Sequence, residues 1–142
     1  MQKSKVLFLG LGRMGFHMSA HLSKSKNIEL FIYNRSKNKE NIWLKSYNAK
    51  KFDIKNPINL KFDVIITCLK DDHSINQVTN NLFKSSCFHR NTIFIDHSTI
   101  SLSQVEKLNN LLNKKKNKIP RCTCYRWRRG CEKWKIICND RW

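Results

Sequence analysis

The amino-acid sequence predicts an α/β fold: a doubly wound parallel sheet truncated at about five strands, followed by a tail expected to be disordered. Three observations carry that expectation. Apolar runs of strand length alternate with segments of helical periodicity from residue 6 to about residue 112, and such alternation implies parallel strands joined by right-handed crossovers. The runs beginning at Val6 and at Phe62 are apolar or β-branched almost throughout, as strands covered on both faces are. Finally, four of the six cysteines and three of the four tryptophans fall after Pro120, where the chain changes character abruptly.

Taken in order, Val6-Leu-Phe-Leu-Gly10 is the first predicted strand. Met14, Met18 and Leu22 then recur at spacings of four with Ala20 nearby, which predicts a helix with one apolar face to about Ser23. Ile28 to Tyr33 is the second strand, closed by Asn34-Arg35-Ser36, and a polar helix runs to about Tyr47. A short third strand is expected at 50–54, and Pro57 marks a turn or a helix start. Phe62 to Leu69 is the fourth strand. Asp71 and Asp72 supply N-cap chemistry for a helix to about Ser85. Thr92 to Asp96 is the fifth strand, and Ser101 caps a helix carrying Leu102, Val105, Leu108 and Leu112. Neither an internal repeat nor a flexible linker interrupts the pattern.

The chain has 142 residues, enough for one ordinary domain, and 40% of them are hydrophobic, which argues against wholesale disorder despite a net charge of +18. No run of 18 apolar residues exists, so no membrane span is expected. The basic, apolar start resembles a signal peptide but meets Arg13 with no small-residue cleavage site, so a cytoplasmic protein is expected. The lysines are scattered among Asn and Ser, which favours compositional drift over a phosphate-binding stripe. Lys114-Lys-Lys-Asn-Lys118 is the best local basic patch, and the last turn of a helix accounts for it equally well.

The chemistry concentrates in Gly10-Leu11-Gly12-Arg13-Met14-Gly15. A Gly-x-Gly-x-x-Gly between a buried strand and a helix is the dinucleotide-binding fingerprint of Rossmann-type folds. Gly10 permits a tight turn, Gly12 lets the backbone approach a diphosphate, and Gly15 lets the helix pack close to the strand. The anion then rests on the unpaired N–H groups of the helix start. At the end of the second strand an acidic residue would bind the ribose 2′-hydroxyl of NAD. This sequence has Asn34 there, followed by Arg35 and Ser36, so no carboxylate repels a 2′-phosphate and Arg35 can bind one bidentately. NADP is therefore the expected cofactor, with NAD the alternative.

Single residues with blander readings surround this motif. His17 and His21 have metal-ligand spacing but no third ligand nearby, and are read as solvated. Cys68 is read as a small residue at a buried strand end, and no metal is expected. His97 lies beside the pair Ser98-Thr99 without a role assigned to it.

Together, Gly-Leu-Gly-Arg-Met-Gly, Asn34-Arg35-Ser36, Asp63-Val-Ile-Ile-Thr-Cys-Leu69 and Asp96-His-Ser-Thr99 resemble successive signatures of the β-hydroxyacid dehydrogenases. That family includes 3-hydroxyisobutyrate dehydrogenase and tartronate semialdehyde reductase, and is related to 6-phosphogluconate dehydrogenase. The resemblance covers residues 1–119, the nucleotide domain, and implies hydride transfer between NAD(P) and a small 2- or 3-hydroxy acid such as 3-hydroxyisobutyrate. It implies that Leu11, Gly12, Arg13 and Met14 contact the diphosphate and that Asn34, Arg35 and Ser36 surround the adenosine ribose. Cys68 and Leu69 would line the groove, while Ser98 and Thr99 would reach the nicotinamide and the substrate carboxylate. Lys70 and His17 depart from the proline that relatives usually carry at each position.

The family continues with a sixth strand and a substrate-binding segment, then a helical domain carrying a catalytic lysine. Residues 120–142 show instead a basic tail rich in Cys and Trp. Back-translating Arg121 to Trp142 with suitable synonymous codons and shifting the frame by one base gives Asp-Ala-Pro-Val-Thr-Gly-Gly-Val-Glu-Gly-Ala-Lys-Asn-Gly-Lys-Leu-Ser-Val-Met-Thr-Gly-Gly. That segment resembles the family's continuation over the whole tail. The expectation is a frameshifted fragment from about residue 119, with the helical domain absent, no catalytic residue and no turnover. Loss of the sixth strand would leave the fifth as an edge, and homo-oligomers, usual in the family, are doubtful here. The rival classes are a stand-alone dinucleotide-binding module and, less favoured, a basic nucleic-acid-binding protein or a tail that binds metal.

Overall fold

The computed structural model describes residues 3–57, 60–89, 91–114, 121–125 and 136–138. The elements are β1 (Ser4–Leu9), α1 (Arg13–Ser23), β2 (Ile28–Tyr33), α2 (Lys37–Ser46), β3 (Lys50–Lys51), β4 (Val64–Thr67), α3 (Asp72–Lys84), β5 (Ile93–Asp96), α4 (Leu102–Lys114), β6 (Arg121–Tyr125) and β7 (Ile136–Cys138). The sheet order is β3-β2-β1-β4-β5-β6-β7. Every neighbouring pair is parallel except β6 and β7, which run antiparallel.

Alternation along the strands divides the interior into two layers. From β1, Leu7 and Leu9 pack on one face with Phe31, Ile65 and Phe94, covered by Ile75, Val78 and Leu82 of α3 and Val105, Leu108 and Leu112 of α4. Val6 and Phe8 point to the other face with Leu30, Ile32 and Ile66, covered by Phe16 and Met18 of α1 and Trp43 of α2. The winding is therefore double, as expected. Between the first-running half β1-β2-β3 and the returning half from β4, the order reverses beside β1, and a crevice opens at the carboxyl ends of β1 and β4.

Several expectations need correcting. Met14 is 68% exposed, and the buried positions of α1 are Gly15, Ser19 and Ala20. The helix lies so close to β1 that small residues make the contact. Leu102 is likewise 56% exposed, leaving Val105, Leu108 and Leu112 to anchor α4. Of the two aspartates expected to cap α3, Asp71 does so, accepting the Ser74 N–H at 2.8 Å. Asp72 instead accepts from the Ser101 N–H and hydroxyl, tying α3 to the start of α4. The polar α2 buries Trp43, whose indole N–H donates to the Phe16 carbonyl at 3.2 Å.

The tail also departs from expectation. Arg121–Tyr125 pairs parallel with β5, from Ile93↔Arg121 to Asp96↔Cys124, so β5 is not an edge. The ladder uses main-chain groups, and the crossover after α4 returns the chain to that side of the sheet whatever its side chains. Of the tail expected to be disordered, these residues and Ile136–Cys138 are strands, and the rest lies outside the described residues.

At the carboxyl ends of β4 and β5, Asp96 is 2% exposed, and one carboxylate oxygen accepts from the Thr67 hydroxyl at 2.7 Å and the Ser98 N–H at 2.9 Å. Burial pushes its pKa up. A raised native pKa means that the folded state holds its proton more tightly, so this group's contribution to stability is present below the unfolded value near 4 and falls as pH rises through the native value. Asp96→Asn keeps the accepting oxygen and removes the titration. Urea midpoints of the variant should therefore gain on those of the native chain as pH rises above about 4, and parallel pH profiles would contradict this.

Candidate functional site

The turn from β1 into α1 occupies the crevice. Gly10 has φ +105°, a left-handed conformation that side chains resist, and a Cβ there would stand 2.4 Å from the Cys68 carbonyl oxygen. Its N–H donates to the Tyr33 carbonyl at 2.9 Å, joining the turn to the end of β2. A Cβ on Gly15 would lie 2.0 Å from the Gly10 carbonyl oxygen, so the first turn of α1 rests directly on the preceding turn. Gly12 differs: nothing lies within 4 Å of its would-be Cβ. It occupies the N-cap position of α1 with no side-chain cap, and the first turn carries no acidic residue. Uncapped N–H groups at the positive end of a helix, beside an open glycine, fit an anion held by main-chain donors.

Asn34 latches the second loop to the first. Its side-chain carbonyl accepts the Leu11 N–H at 3.0 Å, its amide donates to the Ser36 carbonyl at 3.1 Å, and its own N–H donates to Glu40 at 2.9 Å. Glu40 is fully buried and lies 3.5 Å from the Lys37 ammonium and 3.2 Å from that of Lys51. Arg35, Ser36 and Lys39 stay exposed on the rim.

An open cavity of about 250 Å³ runs between these loops and α3. Of the residues singled out in the sequence, it brings together Gly10, Leu11, Gly12, Asn34, Arg35, Ser36, Cys68 and Leu69. Arg13 and Met14 line an adjoining cavity that shares Leu11, Gly12 and Lys39 with the first. Gly15 is buried beneath the turn, and the Leu11 side chain packs into the core with its N–H already held by Asn34. Ser98 and Thr99 lie outside both of these cavities. Ser98 is buried, its hydroxyl accepting the Leu69 N–H at 2.9 Å, whereas Thr99 is exposed. Burial and the neighbouring Asp96 push the Cys68 thiol up, which keeps it neutral near pH 7. His17 and His21 are exposed on α1.

Sequence reasoning missed Lys39, Ile54, Lys55, Ser74, Gln77, Val78 and Asn81, all of which line the same cavity. The α3 residues among them recur at spacings of three and four, a signal masked by the helix's stronger apolar stripe.

Residues 5–119 match the family described as the NAD binding domain of 6-phosphogluconate dehydrogenase. The chain belongs to that family. This NAD-binding domain is 34% identical over 101 residues to an uncharacterized oxidoreductase of Shewanella frigidimarina, covering 69% of the chain and 34% of the relative. Among solved structures, Mycobacterium tuberculosis 3-hydroxyisobutyrate dehydrogenase with L-serine superposes with a TM-score of 0.65 at 20% identity, over 89% of this chain and 42% of that one. Reductive aminase from Aspergillus terreus in complex with NADPH and ethyl levulinate gives 0.66 at 20% identity, over 87% and 41%. At that identity the two likenesses speak for the fold. The chain spans about a third of the length of the curated relatives it matches. Among the described residues, no helix is long and apolar enough to cross a membrane.

The three glycines of the domain should separate cleanly on substitution. Gly12→Val is expected to leave the urea midpoint near that of the native chain and to abolish dinucleotide binding. Gly10→Ala and Gly15→Ala are expected to destabilise by about 1–3 kcal/mol or more, through backbone strain and overpacking. Nucleotide affinity unchanged in folded Gly12→Val would overturn the reading of this turn.

Proposed function

We propose that this chain is the NADP-binding part of an oxidoreductase that transfers hydride between the dinucleotide and a small 2- or 3-hydroxy acid such as 3-hydroxyisobutyrate. The observation that carries it is one cavity joining Gly12 and the uncapped start of α1 to Arg35 at the end of β2. A diphosphate fits against the α1 amides. The Arg35 guanidinium offers a bidentate partner to a 2′-phosphate, and Lys39 and Lys55 add positive charge on the same cavity. Glu40 stands close in sequence, but it is buried and turned inward, so its charge is met by Lys37 and Lys51.

When bound, the nicotinamide supplies the hydride chemistry, and the chain's own residues bind and orient. Thr99, exposed at the end of β5, stands on the side where the nicotinamide and substrate carboxylate are proposed to lie. Ser98 holds the Leu69 N–H, and with it the loop that ends β4. We assign no acid or base within this chain. The solved 3-hydroxyisobutyrate dehydrogenase supports the substrate class, and the NADPH complex of the reductive aminase supports the cofactor. Among the described residues, Cys68 and Cys87 are unpaired, which accords with a cytoplasmic location.

The reading divides the chain into a nucleotide domain, 1–119, and an aberrant tail, 120–142, whose codons are shifted in frame. The family match stops at residue 119, where the shift is proposed. A stand-alone module without catalysis is the alternative.

Two measurements test this. Followed by nicotinamide fluorescence, NADPH should bind at least about tenfold more tightly than NADH, and Arg35→Ala should remove most of that preference, since a charge-assisted pair contributes about 1.5–3 kcal/mol. Equal affinities in the native chain would exclude the NADP assignment, and no binding of either would exclude the dinucleotide reading. Sequencing the gene across codon 119, restoring the frame and assaying small hydroxy acids should then recover turnover. An alternate frame lacking the Gly-Gly-Val segment would end the frameshift reading.

A further inference from the structure

A diphosphate held by main-chain donors at the start of α1 leaves the side chains of Arg13 and Met14 unused. Among the described residues, the large apolar side chains that stand exposed are Met14, Ile42, Leu102 and Leu111. Met14, at 68% exposed, and Ile42, at 50%, share one open cavity of about 500 Å³ between the first turn of α1 and the middle of α2. Exposed apolar groups scattered singly are ordinary, but two that line one concavity of ligand size offer a seat to an apolar body. Phe16 adds an aromatic wall, its ring set edge-on against Tyr47 at 5.8 Å and His17 at 5.6 Å.

The rim of this cavity is cationic. Arg13 and Lys39 line it, no acidic residue does, and neither cation forms a salt bridge to another described residue. Glu40, next to Lys39 in the chain, is buried and met by Lys37 and Lys51, so it does not neutralise the rim. A second copy of this chain is a poor occupant, because two chains of net charge +18 repel. An apolar floor with two unpaired cations at its edge instead complements a small molecule with an apolar body and one anionic end. We propose that the cavity between α1 and α2 is a second ligand site, which takes an amphipathic monocarboxylate. Its alkyl chain lies on Met14, Phe16 and Ile42, and its carboxylate faces Arg13 and Lys39. Phe16 and Ile42 lie outside the dinucleotide cavity, so the two sites can be tested apart.

The test titrates the full chain with octanoate and with 1-octanol, an uncharged probe of the same length, both by isothermal titration calorimetry. Octanoate should occupy one site and bind about fivefold or more tightly than octanol. Ile42→Asp removes apolar contact and adds a like charge, and should weaken octanoate about tenfold. Lys39→Gln should reduce the preference for octanoate over octanol. Both residues are exposed, so both variants should keep the native circular dichroism spectrum. No octanoate binding to the native chain, or equal affinities for the two probes, overturns the inference. Octanoate affinity unchanged in folded Ile42→Asp, or a preference unchanged in folded Lys39→Gln, overturns it as well. None of these outcomes depends on dinucleotide binding.

Discussion

The contact between the Gly10 carbonyl and the α-carbon of Gly15 governs everything built above it. With 2.0 Å between that oxygen and the place a Cβ would occupy, only glycine lets α1 begin so close to the end of β1. Two consequences follow. The helix packs on the sheet through Gly15, Ser19 and Ala20, with Phe16 and Met18 partly buried beside them and Met14 turned outward. Its first N–H groups stand over the crevice with no side chain capping them, whereas α3 is capped by Asp71. One steric constraint thereby sets both the packing of the first crossover and the donor array at its mouth.

Electrostatics completes what that turn begins. Burying Glu40 costs desolvation, which the Asn34 N–H and the ammonium groups of Lys37 and Lys51 offset. The arrangement fixes the loop after β2 and draws the negative charge beneath it. Arg35, Lys39 and Lys55 are left lining the cavity, and among the described residues Arg35 forms no salt bridge. A chain of net charge +18 is crowded with cations, yet few of them are placed by a scaffold. Position relative to the glycine turn, rather than abundance, distinguishes these three.

What was legible in the sequence was whatever one segment decides alone. The runs at Val6 and Phe62 declared buried strands, although β4 proved shorter, at Val64–Thr67. The glycines declared a turn because a missing side chain is itself a steric statement. What was not legible depended on partners distant in sequence. Asp72 resembles a cap until Ser101 comes within reach, 29 residues on. Met14 fits the apolar spacing, but the close approach at Gly15 turns the helix so that Met14 faces outward. Lys55 and Asn81 join the site only because the β3–β4 connection and α3 flank one crevice, which no local pattern encodes.

The tail shows where backbone and side chains part company. β6 pairs with β5 over Ile93–Asp96, the position at which a sixth parallel strand would stand. An interior parallel strand is ordinarily apolar on both faces. Arg-Cys-Thr-Cys-Tyr meets that requirement poorly, whereas the frame proposed for the tail would place the more apolar Ala-Pro-Val there. Hydrogen bonding along the ladder runs the other way, because Thr123 offers a main-chain N–H that a proline at that position lacks. Every described residue that lines the candidate cavity lies between Gly10 and Asn81, well before the tail.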